Sequence, residues 1–184
     1  MRRMRLFIAI PISEAIGKWL LDSFKALGVR HENLRITKKT NFHVTLKFLG
    51  DTDVSEIDPL TRILAEVAED HVGAELSFTH GLLMPPHRPR AVALGIHATD
   101  ELTALQRAID EALADGRIAQ PERKQYRPHI TLARTRAPLS PDEERAITEW
   151  APQKNFSARQ MTLYESTLKP DGPVYEAIAE YPLL

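Results

Sequence analysis

The sequence predicts an α+β fold of two lobes with similar organisation, each combining mostly antiparallel strands with helices. Strand-like and amphipathic helix-like stretches follow one another along both halves of the chain. A four-residue pattern, His-x-Thr-Leu, occurs once in each half, at His43 and again at His129. A chain of 184 residues can bury one sizeable core. We therefore expect residues 1–184 to form a single bilobal domain.

Turn and capping residues bound the predicted elements. Ser13 is a typical N-cap and Gly28 a typical stop for the first helix, and Ser140-Pro141 is a typical start for the last one. The predicted strands are 6–10, 34–37, 41–49, 75–83, 91–97, 128–134, 157–168 and 174–181. The predicted helices are 14–27, 55–72, one that Asp100 caps, and one from residue 140 onward.

Composition and charge exclude several classes of protein. With 43% hydrophobic residues, 27% charged residues and a net charge of −1, the chain is globular, and its charge does not single out a partner. The absence of cysteine excludes disulfides and thiolate ligands. We find no targeting signal and no apolar run near the roughly 20 residues of a membrane span. We expect a cytoplasmic protein without membrane contact, metal or cofactor.

The repeated pattern places a histidine and a threonine two positions apart. Side chains alternate in an extended strand, so His43 and Thr45 share one face, as do His129 and Thr131. Along 41–49 the same alternation assigns the core-facing side to Phe42, Val44, Leu46 and Phe48. If both strands border one cleft, that cleft holds two imidazoles and two hydroxyls.

These groups suit the chemistry of a phosphate ester. With an ordinary pKa of about 6.5, one imidazole acts as a base near neutral pH while another, beside an anionic phosphate, acts as an acid. Threonine hydroxyls donate hydrogen bonds to phosphoryl oxygens. Ring strain in a cyclic phosphodiester lessens the need for a metal. A lone strand histidine is more often structural, but its recurrence in matching contexts favours function.

The two strings and their surroundings resemble the two-histidine phosphoesterase superfamily, and within it the RNA 2′,3′-cyclic phosphodiesterases, also called 2′-5′ RNA ligase-like proteins. The resemblance spans nearly the whole chain and rests on residues 5–10, 41–50, 88–90, 127–134 and 163–166. It implies two pseudosymmetric lobes with helices outside and a central cleft. It also implies metal-independent opening of an RNA terminal 2′,3′-cyclic phosphate to a 2′-phosphate.

The resemblance also implies roles and partners. By that similarity His43 protonates the departing 3′ oxygen, His129 accepts a proton from water, and Thr45 and Thr131 hold the phosphate. The expected partners are RNA 3′ ends with a cyclic phosphate, tRNA fragments among them, bound by a monomer. Two alternatives stay open: a 2′-5′ RNA ligase that joins tRNA halves without a nucleoside triphosphate, and a non-catalytic module that binds RNA ends.

Two cations near the strings have an ambiguous orientation. Arg134 resembles a family arginine that contacts the phosphate, yet simple alternation from His129 points it to the opposite face. A bulge or the end of the strand near Ala133 would return it to the cleft; otherwise Arg134 is a surface cation. Lys47 shares the parity of His43 and adds positive potential for RNA, although a lysine near a strand end is commonly solvated.

Aromatic and basic residues complete the predicted substrate contacts. Phe7 and Tyr126 are candidates for stacking a terminal base. An aromatic within an apolar strand such as Phe7 is more often a core residue, and Tyr126 is the better exposed of the two. Residues 35–39 and Ala93 depart from the family's aromatic pattern, so no stacking is implied there. Four basic residues form either a rim for upstream phosphates or a set of solvated loop charges: Arg88, Arg90, Lys38 and Lys39.

Overall fold

The structure, a computed structural model, describes residues 2–184 and forms nine strands and four helices over that range. The strands are β1 (Arg3–Pro11), β2 (Leu34–Ile36), β3 (His43–Asp53), β4 (Ala74–Met84), β5 (Ala91–Ile96), β6 (His129–Thr135), β7 (Asn155–Ala158), β8 (Gln160–Lys169) and β9 (Gly172–Pro182). The helices are α1 (Glu14–Lys25), α2 (Ile57–Glu69), α3 (Asp100–Asp115) and α4 (Pro141–Glu149).

The strands form two antiparallel sheets. The first has the order β3-β1-β8-β9 and the second the order β2-β6-β5-β4-β7. Helices α2 and α3 pack against the first sheet, through β9 and β3, whereas α4 packs against β4 of the second. Helix α1 also covers the second sheet, where Trp19 stacks on Phe78 at 5.9 Å between ring centroids. The predicted α+β class with two mostly antiparallel lobes is confirmed.

Two strand boundaries differ from the sequence-based expectation. The predicted strand 157–168 is two strands that belong to different sheets, because the chain crosses from the second sheet to the first between Ala158 and Gln160. Gly50 does not end β3. Its φ of 71° accommodates an irregularity in the pairing with β1, and the strand continues to Asp53.

The helix starts follow from capping chemistry. Ser13 and Ser140 cap α1 and α4 as predicted, and Ser140 forms a reciprocal capping box with Glu143. Thr99, and not Asp100, caps α3; the aspartate instead lies in the first turn, where its charge complements the helix dipole. Over the described residues, no helix combines the length and apolarity that crossing a bilayer requires.

Candidate active site

Each motif histidine stands at the first residue of its strand with the same local hydrogen bond. The Nδ1 atom of His43 lies 2.8 Å from the Asn41 carbonyl oxygen, and that of His129 lies 2.8 Å from the Arg127 carbonyl oxygen. A carbonyl oxygen only accepts, so each Nδ1 carries the hydrogen and donates it. In the neutral rings the Nε2 atoms are therefore the free bases.

Both motif strands carry a β-bulge at the leucine of the motif. The pairing of β3 with β1 skips Leu46, and the pairing of β6 with β5 skips Leu132. One extra residue reverses the facing of the residues that follow. The second residue after each leucine thus returns to the side of the histidine: Phe48 in β3 and Arg134 in β6.

The bulges settle how these neighbouring side chains are oriented. Arg134 is exposed and shares the face of His129, which is the bulged alternative. The expected core position of Phe48 is wrong, since the ring is 70% exposed and lies 6.1 Å from the Phe7 ring. The two halves therefore place an aromatic ring and a guanidinium at matching positions.

The expectation that Lys47 faces the substrate is also wrong. The bulge turns Lys47 inward, where it is 7% exposed. Its ammonium group forms an ion pair with Asp110 of α3 and donates to the Gln120 carbonyl oxygen at 2.8 Å. The Asp110 carboxylate also accepts from the Glu122 amide at 2.9 Å. Lys47 thus ties β3 to α3 and to the chain that approaches β6.

His43 lies in an aromatic pocket. Its ring centroid is 4.9 Å from that of Phe7 and 5.3 Å from that of Tyr175, the latter edge-on. This burial lowers the pKa of His43; the Asn41 carbonyl raises it in part, and the charge of His129 lowers it further. The His43 Nε2 atom lies 3.1 Å from the Thr45 hydroxyl. His43 is therefore held neutral near pH 7 in the free protein.

Phe7 supports His43 and is not open to a base. The ring is 3% exposed and packs against Tyr164, with 5.2 Å between centroids, and against Tyr175 at 4.8 Å. The expected stacking of a nucleobase on Phe7 is thus not available in this arrangement. No pattern in the sequence singles out Tyr175, which arrives from β9 near the end of the chain.

Tyr126 is half-buried and is therefore, as expected, better exposed than Phe7. Its hydroxyl donates a hydrogen bond of 3.0 Å to the Thr45 carbonyl oxygen, and burial raises the pKa of this hydroxyl. Tyr126 therefore fastens the segment before β6 to the first motif strand.

Several contacts bring the two motifs together. Cα atoms of β3 and β6 approach within 8 Å. The charge of His129 is close enough to lower the pKa of His43. The charge of Arg134 likewise lowers the pKa of Tyr175 against the larger opposing effect of burial, and Tyr175 touches the His43 ring. The two histidines and Arg134 consequently border one cleft between the sheets.

The donor set of this cleft is imidazole, hydroxyl and guanidinium. Over residues 2–184, no group of three or more histidines and carboxylates is arranged to hold a metal ion. Two free Nε2 atoms beside two threonine hydroxyls are suited to moving protons to and from an anionic ester. The exposed guanidinium of Arg134 adds a fixed positive charge at the same opening.

Comparisons with known proteins agree with this architecture. A family model described as the 2′-5′ RNA ligase superfamily matches residues 15–169. The chain is 27% identical to a protein of Methanocaldococcus jannaschii, over 97% of this chain and 100% of the relative, and 29% identical to one of Thermotoga maritima, over 96% and 94%. Both relatives are named RNA 2′,3′-cyclic phosphodiesterase.

Solved structures share the fold over their full length. A Thermus thermophilus protein, TT0787, superposes with a TM-score of 0.82 at 22% identity over 98% of both chains. The apo form of E. coli LigT superposes with a TM-score of 0.78 at 21% identity, over 100% of this chain and 99% of LigT. Since the family model covers most of the sequence, the chain belongs to the 2′-5′ RNA ligase superfamily.

Proposed function

We propose that this protein hydrolyses the terminal 2′,3′-cyclic phosphate of RNA to a 2′-phosphate. The observation that carries the proposal is the approach of the two motif strands, each with a histidine whose Nδ1 donates to a carbonyl and leaves Nε2 unprotonated, and each with a threonine on the same face as its histidine. The names of the relatives from M. jannaschii and T. maritima support the same reaction.

In the proposed reaction, a water oxygen attacks phosphorus as the bond from phosphorus to the 3′ oxygen breaks. The water proton passes to Nε2 of His129, and Nε2 of His43 delivers a proton to the departing 3′ oxygen. The hydroxyls of Thr45 and Thr131 donate to the non-bridging oxygens, where charge is held in the transition state. The Arg134 guanidinium adds a charge-assisted hydrogen bond.

The donor role of His43 requires the substrate. Burial keeps the imidazole neutral in the free protein, whereas a donor must be protonated. An anionic phosphate within a few ångströms favours the charged form and raises the pKa of His43. Substrate binding therefore charges the group that protonates the leaving oxygen.

The test uses an RNA oligonucleotide that ends in a 2′,3′-cyclic phosphate, with identification of the product isomer. His43→Ala and His129→Ala are each expected to lower kcat by about 10²-fold or more. His31→Ala is the matched control, because this exposed histidine lies in a short 3₁₀ turn away from the motif strands. Full activity in either motif variant would sink the proposal, as would turnover that stops when a chelator is added.

The family match favours a second candidate reaction at the same site. A 5′-hydroxyl of a second RNA, such as a tRNA half, takes the place of water and yields a 2′-5′ linkage without a triphosphate. Joined product that accumulates when such an end is supplied identifies this activity. Tight binding without turnover at any pH instead identifies an RNA-end binding module.

We also propose that the protein is a cytoplasmic monomer, to be checked by fractionation and light scattering.

A further inference from the structure

A polar cavity adjoins the cleft and shares Arg134 with it. It has a volume of about 320 Å³ and separates the edge of the second sheet from the turn between β8 and β9. Its walls are formed by Arg35, Arg134, Thr135, Arg136, Pro170 and Asp171. Three of these six side chains are guanidinium groups, and one is a carboxylate.

The three arginines are arranged so that like charges repel, which favours a bound anion. Arg35 of β2 and Arg134 of β6 are directly opposite each other in the antiparallel pairing, and like charges in that position are destabilising. Over residues 2–184, none of the three arginines has a carboxylate oxygen within 4 Å. An anion in the cavity relieves this repulsion, and planar guanidinium groups match the geometry of phosphate oxygens.

The cavity continues the row of groups that starts at the catalytic histidine. Along β6 the cleft-facing residues are His129, Thr131 and, past the bulge, Arg134. The strand between Thr131, which would hold the cyclic phosphate, and Arg134 spans no more than about 10 Å. Arg136, two residues farther along, extends the row beyond the strand end into the cavity. A group bound there lies next along the strand to the phosphate that Thr131 would hold.

We propose that this arginine pocket, formed by Arg35, Arg134 and Arg136, binds the phosphodiester immediately upstream of the terminal nucleoside through Arg35 and Arg136, while Arg134 is shared with the reacting phosphate. The proposal rests on the proposed function, because it takes the cyclic phosphate to lie at the histidines. The preferred substrates are then RNA chains with at least one phosphate upstream of the terminal nucleoside, and free cyclic mononucleotides are poorer substrates.

The test compares three substrates with the same terminal base: a 2′,3′-cyclic mononucleotide, its 5′-phosphorylated form, and a dinucleotide. The wild-type protein is expected to show a higher kcat/KM for the last two. Arg35→Gln with Arg136→Gln is expected to lower kcat/KM about tenfold on those two, and less than twofold on the mononucleotide. Arg62→Gln with Arg107→Gln removes the same charge from α2 and α3 and is expected to change none of the three.

Two further variants separate binding from folding. Arg35→Gln relieves a like-charge pair, so the melting temperature is expected to stay at or above that of the wild type. Asp171→Asn removes the carboxylate from the pocket wall and is expected to raise kcat/KM for the dinucleotide at low salt. A lower melting temperature for Arg35→Gln, or weaker turnover in Asp171→Asn, contradicts the proposal.

A binding measurement keeps this proposal separable from the catalytic one. For a fluorescent dinucleotide that ends in a 2′-phosphate, the double variant is expected to reduce the slope of log K against log salt by about 0.7. Equal affinity and slope in the two proteins overturn the pocket even if hydrolysis is observed. If the wild type hydrolyses nothing, the proposed function fails, yet the binding result still decides the pocket. A preference for the dinucleotide without one for the 5′-phosphorylated mononucleotide overturns phosphate recognition.

Discussion

The two halves of the molecule carry the same motif in different surroundings. In the first half, the bulge exposes Phe48 opposite Phe7, and Phe7 packs on the ring of His43. In the second half, the same bulge exposes Arg134 opposite Ala91. One half buries its histidine among aromatic rings, and the other opens its face and adds positive charge. The repeated backbone places the imidazoles, and in the proposed reaction their neighbours determine which of them donates a proton and which accepts one.

The residue directly after the bulged leucine differs as well. Lys47 of the first half is buried in an ion pair with Asp110, whereas Ala133 of the second half lies in the apolar core. The Asp110 carboxylate and the Gln120 carbonyl, which Lys47 also contacts, link β3 to the chain that leads to β6. Lys47, which has no charged counterpart in the second half, thus adds one more tie between β3 and the chain that leads to β6.

The largest expected effect comes from breaking this connection. Asp110→Ala leaves the buried ammonium of Lys47 unpaired and is expected to lower the free energy of unfolding by about 3–5 kcal/mol. Urea denaturation followed by circular dichroism measures it. Arg107→Ala on the same helix breaks an exposed pair with Glu111 and is expected to cost less than about 1 kcal/mol. Equal losses in the two variants contradict the asymmetry.

The two threonines test whether the halves divide the phosphate between them. Thr45→Val and Thr131→Val each remove one hydroxyl donor and are expected to lower kcat by about 10²-fold or more. Thr45→Val also removes the contact with Nε2 of His43, so only this variant is expected to shift the pH profile. Steady-state kinetics across pH measures both effects, with Thr61→Val as control, because this hydroxyl donates to the Asp58 carbonyl oxygen within α2. Unchanged kcat in both variants excludes the hydroxyls from the transition state.

The sequence predicted what depends on local pattern. His43, Thr45, His129 and Thr131 share faces because alternation requires only an extended strand, and Ser140 caps α4 because the cap bonds its own helix. The predicted orientations of Lys47 and Phe48 were wrong. The orientation of Arg134 had been left open, with a bulge as one alternative. The bulge depends on how β3 pairs with β1, and no residue within the motif indicates it. Contacts made by distant strands were equally hidden.

Tyr175 shows the limit for the candidate site. It touches His43 from β9, which is brought beside β8 and β1 only when the first sheet assembles. The arginine pocket has the same origin, because Arg35 meets Arg134 only through the pairing of β2 with β6. Site residues that lie together in one segment could be predicted from the sequence. Contacts that form only when several segments assemble could not.

A smaller effect follows from the burial of His43. Because the folded state lowers its pKa below the unfolded value of 6.5, the unfolded state binds more protons between the two values. The contribution of His43 to the free energy of unfolding is therefore expected to be complete above about pH 6.5 and to be lost as the pH drops through the folded pKa. His43→Gln is expected to flatten this fall in urea titrations at pH 5–8, whereas a fall of unchanged steepness excludes His43 as its cause.

The same shift has a kinetic signature. A donor that is neutral in the free protein makes the alkaline limb of kcat/KM lie at lower pH than that of kcat, since bound phosphate raises the pKa of His43. Rate profiles from pH 4.5 to 9 measure the two limbs. Coincident limbs, or a limb for kcat that lies at the lower pH, contradict the role of His43 as donor and favour the reverse assignment of the two histidines.

The smallest expected effect tests the bulge itself. If β3 alternated regularly, Phe48 would lie in the core and Phe48→Ala would cost about 3–5 kcal/mol. The bulge leaves the ring 70% exposed, so the loss is expected to stay within about 0.5 kcal/mol. Leu46→Ala on the same strand removes a buried side chain and is expected to cost about 2–5 kcal/mol. Comparable losses at the two positions would mean that the first motif strand is not bulged, and its likeness to β6 would end at Thr45.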